Sequence, residues 1–298
     1  MKNLLLILNP CAGQRKGRRF LADIIGLFNR EGYAVTTYVT SQPGEGERAC
    51  IALAEQADLI VCCGGDGTFN ETVSAVVKAG VKTPIGYIPA GSTNDFASSL
   101  HLSKNIMQAA RDVVQGKPET VDVGCFGGRY FSYVASFGAF TGTSYTTPQS
   151  LKNIFGHAAY LLGGIQELSQ LRPWQLRVEL PDGTVIEDKF VFGAISNSTS
   201  VGGMLTLAQD RVDLKDGKLE LLLVRMPKDL IELADCVLAL QRQHYDNRML
   251  TFLQTSSLQV TAPGDMDWTL DGEREPGHGE QVLVECVHNA IEIIRNCD

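Results

Sequence analysis

The feature that most constrains this chain is a series of short, predominantly apolar runs. Each is followed by a polar loop and then by a stretch with helical apolar spacing. Residues 4–8 end at Asn9-Pro10 and precede a helical pattern over 18–28, and residues 33–39 precede one running from 46 to 55. Residues 59–63 end in a glycine cluster before a helical pattern over 68–78, and residues 85–88 precede helical segments that begin at Asn94. Strands that are apolar on both faces and separated by helices predict a parallel sheet covered on both sides. This reading gives an α/β domain over residues 1–125.

The punctuation then changes. Gly127-Gly128 separates two strand-like stretches, and residues 176–180 and 185–192 flank Pro181-Asp182-Gly183, a hairpin signal. Short β runs follow at 218–224, 257–261 and 281–287, and helical spacing is confined mainly to 158–171 and 229–240. Residues 126–287 therefore read as a mostly antiparallel, two-layer β domain, with the tail 288–298 expected to pack back on the first. Without a long linker, the two domains are expected to share an interface.

Composition removes several classes of function. With 26 Lys and Arg against 34 Asp and Glu the formal charge is 26 − 34 = −8. That balance argues against a general nucleic-acid binder, whose affinity rests on cations meeting phosphates. Apolar runs such as residues 4–8 and 59–63 are far short of the ~20 residues that a membrane helix needs. The first of them is also too short for a secretory signal. None of the eight cysteines forms a Cys-x-x-Cys pair, so reduced thiols and a cytoplasmic setting are expected.

In a parallel sheet, ligands bind beyond the carboxyl ends of the strands. Four loops lie there: Asn9 to Arg19, Thr40-Ser41, Gly64-Gly65-Asp66-Gly67-Thr68-Phe69-Asn70-Glu71, and Pro89-Ala90-Gly91-Ser92-Thr93-Asn94-Asp95. In the third, three glycines allow close backbone approach, Thr68 is expected to start the helix, and Glu71 completes capping-box spacing. That arrangement suits a phosphate, and it equally suits a plain strand-to-helix turn. Asp66 inside the cluster would repel a bare phosphate but suits Mg²⁺. Ser92 and Asp95 repeat the capping-box spacing. Residues 1–20 hold Lys2, Arg15, Lys16, Arg18 and Arg19 and no acid, a local +5 whose cost at a helix start an anion would offset.

Residues 59–71 resemble the nucleotide-binding signature shared by diacylglycerol-type lipid kinases, sphingosine kinases and NAD kinases. Residues 89–97 resemble a second motif of the lipid-kinase branch, which NAD kinases lack in this form. Asn9-Pro10 with Gly13 matches the opening motif, and Leu270-Asp271-Gly272-Glu273 resembles a late motif that carries a catalytic base. The resemblance implies an NAD-kinase-like α/β domain joined to the β domain. It also implies nucleotide binding by Asn9, Gly13, Thr40, Gly64, Gly65, Asp66, Gly67, Thr68, Asn70, Glu71, Ser92 and Asn94. Two departures stand out: Ser92 replaces the usual Thr, and residues 207–217 carry Gln209 and Val212 where the family has Pro and Ala.

By resemblance, the γ-phosphoryl group of ATP passes to a lipid hydroxyl, with diacylglycerol the foremost acceptor and phosphatidylglycerol or a sphingoid base as alternatives. Glu273 would be the base, supplied across a cleft between the domains, with Asp271 and Asp66 orienting it or binding catalytic Mg²⁺ and Asp95 facing the lipid. A structural Mg²⁺ would sit on Asp216 and the carbonyls of Asp213 and Lys218. Read without the family, Asp271-Gly272 is equally a hairpin turn. The apolar stretches 130–140 and 159–171 are candidates for acyl-chain contact, and 145–156 for a lid. Membrane contact would be peripheral and transient, and a homodimer is left open. Two other readings remain: an NAD kinase, and a nucleotide-binding regulator without turnover, which would have no use for Glu273.

Overall fold

The apolar runs of the first half lie side by side in a parallel sheet, as their two-sided hydrophobicity requires. A computed structural model describes residues 1–13, 15–138, 171–201, 205–279 and 281–296. The chain forms two compact units, Met1–Val123 with Val287–Asp298, and Gly124–Cys286.

In the first unit β1 (Lys2–Leu8) pairs in parallel with β2 (Tyr33–Val39) and β3 (Leu59–Gly64), and β3 pairs in parallel with β4 (Ile85–Pro89). Two helices, α1 (Lys16–Arg19) and α2 (Leu21–Arg30), join β1 to β2. α3 (Glu45–Leu53) joins β2 to β3, and α4 (Asp66–Ala79) joins β3 to β4. α5 (Asp95–Ser99) and α6 (Ile106–Gln115) lead on to β5 (Lys117–Phe126). The single helix expected over 18–28 is therefore two pieces, interrupted at Phe20. The first piece is pressed onto the sheet at Gly17, where a Cβ would stand 2.9 Å from the Cys63 sulfur.

Leu4, Leu6, Val61 and Ile88 meet Ile24 and Phe28 of α2 and Ala109, Ala110 and Val113 of α6 on one face. Their alternates Leu5, Ile7, Ile60 and Cys62 are equally buried. There Phe69 of α4 stacks on Tyr87 and Phe96, with ring centroids 4.4 Å and 5.2 Å away. Burial on both faces is why these strands read as continuous apolar runs.

The second unit carries β6 (Arg129–Phe131), β7 (Val134–Gly138), β8 (Trp174–Glu179), β9 (Val185–Ser196), β10 (Ser200–Val201) and β11 (Leu205–Thr206). β12 (Leu219–Arg225), α7 (Leu230–Gln241), β13 (Leu250–Thr255), β14 (Ser257–Thr261), β15 (Trp268–Leu270), β16 (Glu273–Glu275) and β17 (Gln281–Arg295) follow. The described pairings inside this unit are antiparallel. Val178, Val260 and Val282 lie in register across three strands, and they join one core with Phe131, Phe137, Phe190 and Trp268. The turn at residues 181–183 closes the β8–β9 hairpin, with Gly183 at φ 85°.

Two expectations need amendment. β17 does not stop at 287 but continues to Arg295, and its last part joins the first unit, where Ile293 pairs in parallel with Ile85. A kink at Asn289 (φ 50°) is held by the buried Asp122, whose carboxylate accepts the Asn289 N–H at 2.7 Å and meets His288 Nδ1 at 2.9 Å. The helix expected over 158–171, the acyl-contact stretch 159–171 and the lid expected over 145–156 lie outside the described residues. No described helix is long and apolar enough to cross a membrane.

Inside the β unit, Glu220 interrupts the apolar strand β12. It is fully buried, accepts a hydrogen bond from Gln254 Nε2 at 3.2 Å, and its Oε2 has no partner among the described residues. Burial, with a smaller push from Asp216 and Asp213, raises its pKa from 4.5 to about 8. The folded protein thus keeps a proton that the unfolded chain sheds, so stability from this group is intact below pH 4.5 and lost as pH rises through about 8. In a chelator-containing buffer, the melting temperature of the wild type should fall more steeply over that interval than that of Glu220→Gln. Parallel curves would mean that Glu220 is already ionised in the fold.

Candidate functional site

Hydrogen bonds beyond the strand ends bring the four loops of the first unit to one sheet edge. Thr40 N–H donates to the Leu8 carbonyl at 2.9 Å, Asn9 N–H to the Cys63 carbonyl at 3.0 Å, and Ala90 N–H to the Gly64 carbonyl at 2.7 Å. The Thr40 hydroxyl is buried against Leu8 as well. At this edge backbone lies on backbone. A Cβ on Gly91 would stand 2.6 Å from the Gly65 Cα, and one on Gly13 (φ 52°) would stand 2.5 Å from the Ala90 carbonyl oxygen. Asn9 ties two of the loops, donating from Nδ2 to Thr68 Oγ1 at 3.0 Å while its Oδ1 accepts the Cys11 N–H.

The capping boxes expected from the spacing are not formed. α4 begins at Asp66, with Gly65 as its N-cap and no side chain capping it. Thr68 is thus already in the first turn, its hydroxyl engaged by Asn9. Glu71 instead reaches the N-terminus of α3, accepting the N–H groups of Gly44 at 2.7 Å and Gly46 at 3.0 Å. Gly44 is the left-handed N-cap of α3, so a carboxylate from one helix closes the start of another. α5 likewise starts at Asp95 behind a left-handed Asn94, whose side chain is folded onto Gly91, and Ser92 stays exposed. The Asp66 carboxylate lies by the start of α5. Burial foremost, and then the Asp95 charge, raise the Asp66 pKa, while the backbone N–H groups of Asp95, Phe96 and Asn94 act to lower it. Its Oδ1 is buried without a hydrogen-bond partner among the described residues.

An uncapped helix start, with Gly67 in its first turn, leaves main-chain N–H groups for an anion. Arg15, Arg18 and Arg19 are exposed and form no ion pair among the described residues. Gly64 is crowded by Thr68, which stands 2.6 Å from where its Cβ would be. Asn70 lies on α4, one residue before Glu71.

The remaining predicted residues belong to the second unit. Asp271 (φ 49°) and Gly272 (φ 87°) form the two-residue turn between β15 and β16. The Asp271 carboxylate does more than turn the chain. It is buried and accepts the N–H groups of Ser132, Tyr133 and Val134 at 2.5, 3.0 and 3.0 Å. Three backbone donors fit it for holding the hairpin rather than for ligating a metal. Glu273 follows at the hairpin's exit, half-exposed, with Oε2 2.5 Å from Arg129 Nη2. In the loop before β12, Asp213 and Asp216 each accept an N–H two residues on, from Lys215 and Lys218. No three His, Cys, Asp or Glu side chains converge as a metal site among the described residues. Arg129 and Glu220 escaped sequence reading, because their partners lie far away in the chain.

Residues 3–126 match the family model of the diacylglycerol kinase catalytic domain, and residues 140–295 that of the YegS C-terminal NAD kinase beta sandwich-like domain. A Bacillus subtilis (strain 168) protein named diacylglycerol kinase is 31% identical over 275 residues, which cover 92% of this chain and 90% of that protein. This chain belongs to the diacylglycerol kinase family. A Staphylococcus epidermidis (strain ATCC 12228 / FDA PCI 1200) relative of the same name is 32% identical over 277 residues, covering 91% of this chain and 86% of that one. The crystal structure of a diacylglycerol kinase from Bacillus anthracis str. Sterne shares the fold, with a TM-score of 0.74 at 21% identity over 99% of this chain and 97% of that one. Membership makes this family member an ATP-dependent lipid kinase by class.

The glycine contact gives a direct test of the loop cluster. In Gly91→Ala the new methyl would meet the Gly65 backbone at 2.6 Å and Asn94 Oδ1 at 2.7 Å. Overpacking of this kind costs about 1–3 kcal/mol. ATP affinity, measured by calorimetric titration, should fall by roughly fivefold to a hundredfold, since 1.4 kcal/mol is a factor of ten. Unchanged affinity would show that the phosphate contacts lie elsewhere.

Proposed function

We propose that this kinase transfers the γ-phosphoryl group of ATP to the free hydroxyl of diacylglycerol, giving phosphatidic acid and ADP. The observation that carries the reading is Glu273, a carboxylate set on a hairpin that the buried Asp271 anchors through three backbone N–H groups. A protein that merely binds nucleotide needs no such group. The names of the relatives favour diacylglycerol as the acceptor.

The first unit holds the nucleotide. Main-chain N–H groups at the start of α4 take the phosphates, Gly65 and Gly91 let the backbone come close, and the basic residues before α2 balance the charge. Ser92 and Thr40 line the same loop cluster, and Asp95 faces the lipid headgroup. The second unit supplies Glu273. Its carboxylate accepts the acceptor's hydroxyl proton as the new O–P bond forms and the bond from the γ-phosphorus to the β-phosphate oxygen breaks.

The buried, unpartnered Oδ1 of Asp66, close enough to Asp95 to feel its charge, fits a divalent cation. Mg²⁺ held there by Asp66 would neutralise charge on the phosphates. A structural Mg²⁺ would take the oxygen of Asp216 that does not accept the Lys218 N–H, with the carbonyls of Asp213 and Lys218. The lipid is met at a membrane surface by transient contact through a local apolar patch. Activity on vesicles should therefore fall only modestly as salt rises, and a steep loss of binding would overturn that picture.

The decisive assay offers radiolabelled ATP to a panel of purified lipids in micelles, with NAD as control acceptor. Label should enter diacylglycerol. Glu273→Gln should lose at least roughly a hundredfold in turnover, the scale of general-base catalysis, with circular dichroism and melting temperature unchanged. Labelling of NAD, or a fully active variant, would sink the reading.

A further inference from the structure

The candidate base is itself gripped by a residue that neither the motifs nor the family signature single out. Arg129 opens β6 directly after the tight turn at Gly127 (φ 55°) and Gly128 (φ 92°), paired with Phe126 across the hairpin. That turn is pinned by the Gly127 N–H, which donates to the Leu283 carbonyl at 2.9 Å. From this fixed origin the guanidinium forks, with Nη2 2.5 Å from Glu273 Oε2 and Nη1 2.6 Å from Glu275 Oε2. Glu273 and Glu275 are two apart on β16 and so share one face of the strand.

Other charges at this hairpin are already assigned. Glu275 gives its other oxygen to His278 Nε2 at 3.2 Å, and Arg274 pairs with Asp267 at 2.7 Å. Asp271 is filled by Ser132, Tyr133 and Val134. Glu273 Oε1 takes no hydrogen bond among the described residues. One oxygen of the carboxylate is thus held while the other is open.

Residues 129–134 therefore grip the hairpin twice. Their backbone holds Asp271, and the Arg129 side chain holds Glu273 two residues later. We propose that Arg129 is the positioning residue of this kinase, holding the Glu273 carboxylate in one orientation with Oε1 presented to the acceptor hydroxyl. The inference rests on the reading of Glu273 as the base. A purely structural role is a poor fit, because an ion pair this exposed adds little to stability.

Kinetics and spectroscopy of the full-length protein test it together. With ATP and diacylglycerol micelles, Arg129→Gln should lower kcat about 10- to 100-fold, the scale of a misplaced catalytic group. KM for ATP and melting temperature should stay put. Arg129→Lys should recover part of the loss, keeping the charge but not the fork. Arg129→Gln combined with Glu273→Gln should be no slower than Glu273→Gln alone. Side-chain ¹⁵N NMR of labelled arginine should show restricted rotation of the Arg129 guanidinium in the wild type and freer rotation in Glu273→Gln. Wild-type kcat in Arg129→Gln, a loss traced to KM for ATP or to unfolding, or a freely rotating wild-type guanidinium would each overturn the proposal. A fully active Glu273→Gln would instead remove the base reading, and the NMR measurement would still decide whether Arg129 holds that carboxylate.

Discussion

Backbone pressed on backbone, where Gly65 meets Gly91 and Gly13 meets Ala90, is the constraint on which the first unit depends. Strands β1, β3 and β4 end at the same level, and their loops have room to lie against one another only because no side chain separates them. The contact brings the uncapped start of α4, the left-handed Asn94 and the Asn9 bridge to a single edge. A phosphate-sized anion needs N–H groups that are close and unobstructed, and three missing side chains provide both.

Carboxylates do the work of holding these loops. Asp66 lies by the start of α5, whose N–H groups counter the burial that raises its pKa, Glu71 closes the start of α3, and Asp271 gathers three N–H groups beside its own hairpin. The physics is the same each time: a run of unsatisfied donors attracts negative charge, and an acid brought from elsewhere in the chain satisfies several at once. Motif reading gives all three acids to nucleotide, metal or proton chemistry. In the folded protein Glu71 and Asp271 hold backbone N–H groups, and Asp66 Oδ1 has no hydrogen-bond partner among the described residues. Glu273 differs because it stands at the exit of its hairpin, where its partner is a side chain and one oxygen stays open.

Legibility followed the range of the interactions. β2 was readable to the residue, and the turn of the hairpin around Gly183 to its place, because local periodicity and turn chemistry dictate them. The capping boxes around Thr68 and Ser92 failed although their spacing was right, since distant groups offered the helix starts better acceptors than local ones. β17 ran beyond its expected end because its second part pairs with β4, a partner some two hundred residues earlier. Glu220 was hidden inside an apolar strand, where one acid among leucines looks like an exposed position and proves fully buried.

By itself, the sequence determined the strands of the first unit, its parallel character and the antiparallel character of the second, and the family. These are consequences of apolar spacing and of glycines at turns, which act over a few residues. Only the tertiary structure decided which acids hold backbone N–H groups, that Arg129 grips Glu273, and that the returning tail is the continuation of β17. Those outcomes depend on which groups arrive within about 3 Å of one another, the reach of a hydrogen bond. That proximity is set by the packing of elements far apart in the chain.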